Sequence, residues 1–289
     1  MKTRIISGVV MGVIVAAVLS VGFLWNDIVI AIAIALLAAG AVYELTNKVA
    51  GIKSKWAFIG ACAYAFLGTF IMLQNIIVFP YELRSYITSY FTIEPIVNRL
   101  VLLTIITIAY FLYSVVMVLK NHKDMNLAAI VMLCAMPFFV VGAFSCLGSV
   151  INYNNGLYYL LLLFNFSSIC DMGAYFVGVT IGKHKLCPNI SPKKTIEGAV
   201  GGILSSVVFS LVFVFVFSKT DKLLATLLLT VPFCIVGMIG DLFASAIKRS
   251  VGLKDYSNLI PGHGGILDRL DSMLLISPVV YVFILCGVI

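Results

Sequence analysis

Charge is what this sequence has least of. Only 11% of its 289 residues are Asp, Glu, Lys or Arg, against 62% hydrophobic residues and a mean hydropathy of +1.13. A soluble domain carries about 25% charge, so a soluble fold is excluded, and the repeated long apolar runs indicate a polytopic membrane protein. No Lys/Arg run is interleaved with aromatics, so the net charge of +7 does not point to nucleic acid. The seven cysteines (Cys62, Cys134, Cys146, Cys170, Cys187, Cys234, Cys286) form no CxxC pair and lie mostly in apolar stretches. They read as small buried hydrophobes, with neither a disulfide nor a zinc site expected. The apolar run from Met1 to Trp25 lacks a small-residue cleavage site and reads as a first transmembrane helix, not a removable signal. No internal repeat is visible.

What is present is an all-α pattern of about nine transmembrane helices, near 5–24, 27–46, 56–78, 97–119, 125–149, 157–182, 198–217, 223–247 and 266–288. Each is long enough to cross a core of about 30 Å at 1.5 Å per residue. A tight turn at Trp25-Asn26-Asp27 separates the first two. Basic residues set the orientation. One side collects Lys2, Arg4, Lys48, Lys53, Lys55, Lys120, Lys123, Lys183, Lys185, Lys193, Lys194, Lys248, Arg249, Lys254 and Arg269, the other only Arg84, Arg99, Lys219 and Lys222. The N-terminus is therefore expected in the cytoplasm. Residues 1–150 are nearly featureless and read as a scaffold, while polar residues crowd into 151–289, read as the catalytic region. Glu44, the main exception in the first half, reads as an i,i+4 partner of Lys48. His122 and His184 read as loop residues with no special role.

An ionisable residue at the centre of a membrane helix costs about 2.5–3.5 kcal/mol on insertion scales. Asp171, Asp241, Asp268 and Asp271 all lie within or at the ends of expected spans, so they read as functional. Asp241, Ser245 and Lys248 share a helix face, about 10 Å or less inside the cytoplasmic end. Asp268 and Asp271 share another. Carboxylates from two helices at one depth suit a hard cation such as Mg²⁺, with phosphate completing its shell. The run Pro261-Gly262-His263-Gly264-Gly265 cannot be regular helix, and its backbone N–H groups, close to a helix N-terminus, suit an anion. In the loop 183–198, Ser191 and Pro192 read as N-cap and first residue of the seventh span. Lys193 and Lys194 would then oppose the helix dipole, a conflict that an anionic ligand relieves. Asp171, Tyr175 and Gly178 share a face, and Gly178 with Gly182 forms a GxxxG suited to close helix approach.

The stretch "SAIKRSVGLKDYSNLIPGHGGILDRLD", Ser245 to Asp271, resembles the signature of phosphatidate cytidylyltransferases, also called CDP-diacylglycerol synthases. "DMGAYFVG" and "SPKKTIEG" resemble further segments of that family, and Tyr43-Glu44 matches a Tyr-Glu pair in its N-terminal half. The resemblance implies transfer of CMP from CTP to phosphatidate, giving CDP-diacylglycerol and pyrophosphate, by a homodimer in the lipid bilayer. It implies Mg²⁺, held by Asp241 and Asp268, with a monovalent cation such as K⁺ alongside. It places Lys248, Arg249, Lys254, Asp255, His263, Arg269 and Asp271 with those two aspartates in the catalytic set. Asp171, Ser191, Lys193, Lys194, Thr195, Glu197, Ser245, Gly264 and Gly265 fall to the substrates. The compact loops suggest a bacterial plasma membrane, with the site facing the cytoplasm. Other readings are a CDP-alcohol phosphotransferase, a CTP-dependent lipid kinase acting at the γ-phosphate, and a transporter. The Asp-Gly-x-x-Ala-Arg segment of the first is absent, and the two repeated halves of the last are not seen.

Overall fold

The structure is a computed structural model that describes residues 2–24, 27–74, 95–122 and 125–289. Trp25, Asn26, Arg84 and Lys123 lie outside the described residues, as does the end of the third expected span. Among the described residues the fold is all-α apart from one short hairpin. Its helices are α1 (Lys2–Leu24), α2 (Ile28–Tyr43), α3 (Lys55–Leu73), α4 (Pro95–Lys120), α5 (Leu127–Cys134), α6 (Met136–Ile151), α7 (Gly156–Phe164), α8 (Cys170–Ile181), α9 (Ile196–Val216), α10 (Leu223–Ser250) and α11 (Leu267–Leu285). Among the described residues, seven helical stretches are long and apolar enough to cross a membrane. α1 has a shorter apolar core, Ile6–Gly22. α11 opens on Asp268, Arg269 and Asp271, which dilute its apolar character. α4 shows what such a surface looks like: Ile105, Ile108 and Leu112 are more than half exposed, as lipid-facing side chains are.

Three of the long stretches change their winding for local reasons. α5 and α6 are separated at Ala135, two residues before Pro137, which has no N–H to bond back to Leu133. α2 and α7 each run into a π-helical turn, Glu44–Val49 and Asn165–Ile169. Such wide turns concentrate at functional sites. The first begins at Glu44, and the second ends two residues before Asp171.

The chain divides into two compact units. One comprises residues 1–148 with 256–266, the other 149–255 with 267–289. The first packs α2 against α3 through small residues, with Ala31, Ala35, Ala38, Ala57, Ala61 and Ala65 all buried. In the second, α8 packs most extensively against α9, and glycine is the reason. A Cβ on Gly198 would stand 3.2 Å from the Cα of Gly178, and one on Gly173 would stand 3.2 Å from that of Gly202. Backbone comes close to backbone at these points, the approach that the Gly178–Gly182 spacing allows. A buried polar chain then ties α9 to its neighbours. Asn165 donates to the Ser206 carbonyl at 2.9 Å and to Ser210 Oγ at 2.8 Å, and Ser210 meets Thr230 at 2.8 Å. Each such bond between membrane helices contributes about 0.6 kcal/mol, enough in sum to fix the helices' register.

Candidate active site

The segment between α8 and α9 is not the helix start that Ser191-Pro192 suggests. Lys185–Cys187 and Ser191–Thr195 pair as an antiparallel hairpin, and α9 begins at Ile196. Its N-cap is Thr195, whose Oγ1 accepts from the Gly198 N–H at 3.1 Å. Ser191 is therefore not a cap, and Lys193 and Lys194 stand in a strand, so they do not oppose the helix dipole. The first turn of α9 instead carries Glu197, the sign the dipole favours. The Glu197 carboxylate accepts from the backbone N–H groups of Lys183 (3.1 Å) and His184 (3.2 Å), and meets His184 Nδ1 at 2.6 Å. His184 thus has a structural part that its loop position does not suggest, and Glu197 closes the base of the hairpin.

The hairpin forms one wall of a cavity of about 330 Å³. Lys193, Lys194, Ser191 and Thr195 line it from the hairpin, Asp171 and Tyr175 from α8, and Asp241 and Met238 from α10. Lys194 forms an ion pair with the Asp241 carboxylate. Its ammonium is buried from water, and beyond that ion pair it has donors to spare. The carboxylates of Asp171, Asp241 and Asp271 lie within electrostatic reach of one another. Ser245 donates weakly to Asp241 at 3.4 Å, one turn along the face that the spacing 241–245–248 predicts. Lys248, on the same face, donates to Asp268 Oδ1 at 2.7 Å, and both side chains are nearly buried. Each of the two expected metal-binding aspartates therefore faces a lysine. Asp271 Oδ1 accepts from the Ser272 N–H at 2.8 Å. Arg249 donates to the Leu253 carbonyl at 3.0 Å at the end of α10, while Lys254, Asp255 and Arg269 are exposed.

The glycine-rich loop belongs to the other compact unit. Gly262 (φ 76°) and Gly264 (φ 90°) occupy the left-handed region, which a side chain would strain. The loop closes on itself: Ile260 and Gly264 form a β-bridge, and the N–H groups of His263 and Gly264 both donate to the Ile260 carbonyl. Those two N–H groups are thus spent internally, which corrects the expectation that the whole run offers bare donors. His263 Nδ1 meets Ser7 Oγ of α1 at 2.7 Å.

Glu44 holds this loop. Its side chain is 1% exposed, and its carboxylate accepts from Ser257 Oγ at 2.6 Å and from the Ile266 N–H at 2.9 Å. The expected pairing with Lys48 gives way because residues 44–49 form a π-turn, in which i and i+4 no longer stack. The signal in the sequence was the isolation of this acid within an apolar run.

The fold and the cavity define a class: a multi-span helical membrane protein whose lysines and aspartates converge beside apolar walls, as an enzyme acting on a phosphate-bearing lipid requires. A sequence model described as the Cytidylyltransferase family matches residues 2–286, and the chain belongs to that family. It is 36% identical over 192 residues to the phosphatidate cytidylyltransferase of Staphylococcus haemolyticus (strain JCSC1435), covering 65% of this chain and 71% of that protein. The corresponding protein of Staphylococcus saprophyticus is also 36% identical over 192 residues, with the same coverage. That of Staphylococcus aureus (strain COL) is 34% identical over 194 residues, covering 66% of this chain and 72% of the relative.

Proposed function

We propose that this chain transfers CMP from CTP to phosphatidate, forming CDP-diacylglycerol and releasing pyrophosphate. The observation that carries the reading is the cavity that sets Lys193 and Lys194 beside Asp171 and Asp241. The lipid phosphate is itself the nucleophile. One of its oxygens bonds to the α-phosphorus of CTP as the bond to the β-phosphate bridging oxygen breaks, and pyrophosphate leaves with that electron pair. No protein nucleophile is needed, so the protein's task is to position two anions and offset their charge. Lys194, whose ammonium is shielded from water with donors to spare, suits phosphate oxygens, and Lys193 adds charge at the more exposed end. Tyr175, Met238, Leu186, Ala174 and Ala199 supply the apolar part of the lining, suited to the lipid end of phosphatidate.

The donor set fits Mg²⁺. Asp171, Asp241 and Asp271 share one electrostatic field, and the resemblance assigns Asp241 and Asp268 as ligands. Among the described residues, no three His, Cys, Asp or Glu groups gather into a complete cage. Mg²⁺ does not require one, being held usually by one or two carboxylates plus substrate phosphates. When bound, it would neutralise polyphosphate charge as pyrophosphate departs. A monovalent cation, a homodimer, a cytoplasm-facing site and a plasma-membrane location complete the proposal. The bias of basic residues supports the orientation.

The test is purified protein in mixed micelles with phosphatidate, CTP and Mg²⁺. CDP-diacylglycerol and pyrophosphate should appear in equal amounts, and excess EDTA should stop the reaction. Full activity in EDTA would remove the metal from the account.

A further inference from the structure

Glu44 lies more than two hundred residues before the glycine-rich loop, yet its carboxylate touches both ends of that loop. It accepts from Ser257 Oγ at 2.6 Å, where the loop begins, and from the Ile266 N–H at 2.9 Å, where it ends. The next residues along the chain are Leu267 and Asp268. Gly265 is pressed against the same carboxylate, because a Cβ there would collide with the Glu44 carboxylate. The surroundings are dry: Glu44 is 1% exposed and Tyr256 is 2% exposed. A buried carboxylate must be matched by hydrogen-bond donors, and charge-assisted bonds are roughly twice as strong as neutral ones. The loop supplies those donors. In return it is fixed at both ends, with its two left-handed glycines between the fixed points. A π-turn begins at Glu44 and widens the helix after it.

We infer that Glu44 is a positioning residue for the transfer reaction. It sets the conformation of the loop Ser257–Ile266 and, within it, the place of His263. The inference rests on the cytidylyltransferase reading of the site. It differs from a plain packing role in what it predicts for the chemistry. A packing residue changes how much protein is folded, whereas a positioning residue changes the rate per folded molecule.

The experiment compares wild type, Glu44→Gln, Ser257→Ala and the double variant as full-length protein in detergent. Rates are normalised to the folded fraction, and hydrogen–deuterium exchange is read across residues 257–266. Glu44→Gln keeps the volume and one acceptor but loses the charge that both donors share. Its kcat should fall about tenfold or more, since small misplacements near reacting groups cost factors of this size. The KM for CTP should move less than kcat, and exchange in 257–266 should quicken while α2 and α3 stay protected. Ser257→Ala should show a smaller loss, and the double variant should be no slower than Glu44→Gln alone, because both act through one contact. A kcat per folded molecule within about twofold of wild type in Glu44→Gln would overturn the inference, as would unchanged exchange in the loop. If the wild-type protein forms no CDP-lipid at all, the substrate reading falls, and the exchange comparison still decides whether Glu44 sets the loop.

Discussion

Two polar loops carry most of the sequence signature, and each is tied down by a glutamate, but in opposite ways. The hairpin 185–195 is closed by Glu197, which is fourteen residues or fewer from its partners, and whose bonds to Lys183 and His184 lie at the exposed surface. The glycine-rich loop is closed by Glu44, over two hundred residues away and buried, through Ser257 and Ile266. Water can replace Glu197 at its donors, whereas the Glu44 carboxylate is shut away from solvent. The hairpin is therefore built to hold its lysines with room to adjust, and the glycine loop to hold one conformation. The difference also separates the aspartates, since Asp241 pairs with Lys194 of the hairpin and Asp268 follows the loop.

The largest effects should come from those two aspartates. Asp241→Asn and Asp268→Asn should each lower kcat by about a thousandfold or more while the protein stays folded in detergent, since each removes charge that a divalent cation needs. Near-normal turnover in either variant, measured on protein of native elution volume, would take that residue out of the metal site. Next, Lys194→Gln should raise the KM for CTP about tenfold, several times more than Lys193→Gln. The Lys194 ammonium is shielded from water against Asp241, whereas Lys193 is exposed. KM for phosphatidate should change less, compared in micelles of fixed surface charge because loop lysines also attract anionic lipid. Equal changes in both constants would reduce the hairpin to a generally basic loop.

Gly265→Ala should destabilise the protein by about 1–3 kcal/mol, because the added methyl group must displace the Glu44 carboxylate from a packed site. A thermal melt indistinguishable from wild type would show the glycine loop to be looser than its contacts imply. The smallest effect belongs to Glu197→Gln. It should raise the KM for CTP no more than about threefold, as exposed ion pairs contribute little. A loss as large as that of Glu44→Gln would erase the contrast between the two loops.

The sequence made the helices legible because long apolar runs leave little choice of structure in a bilayer. The face shared by Asp241, Ser245 and Lys248 was equally legible, since helical spacing fixes it, and Ser245 does donate to Asp241. The hairpin was not. Ser191-Pro192 carries the same start signal as Thr195 with its following residues, and only pairing with Lys185–Cys187 decides between them. Glu44 was visible as an isolated acid, but its partners come from the far end of the chain, and no local pattern encodes a contact across that separation.

In the proposed reaction the α-phosphorus of CTP becomes bonded to the lipid. That transfer is tested most directly by supplying CTP labelled at the α-phosphate, and separately at the γ-phosphate, with unlabelled phosphatidate. The α-label should enter the lipid product while the γ-label leaves as pyrophosphate. Entry of γ-label into the lipid, or of neither label, would contradict the proposed reaction.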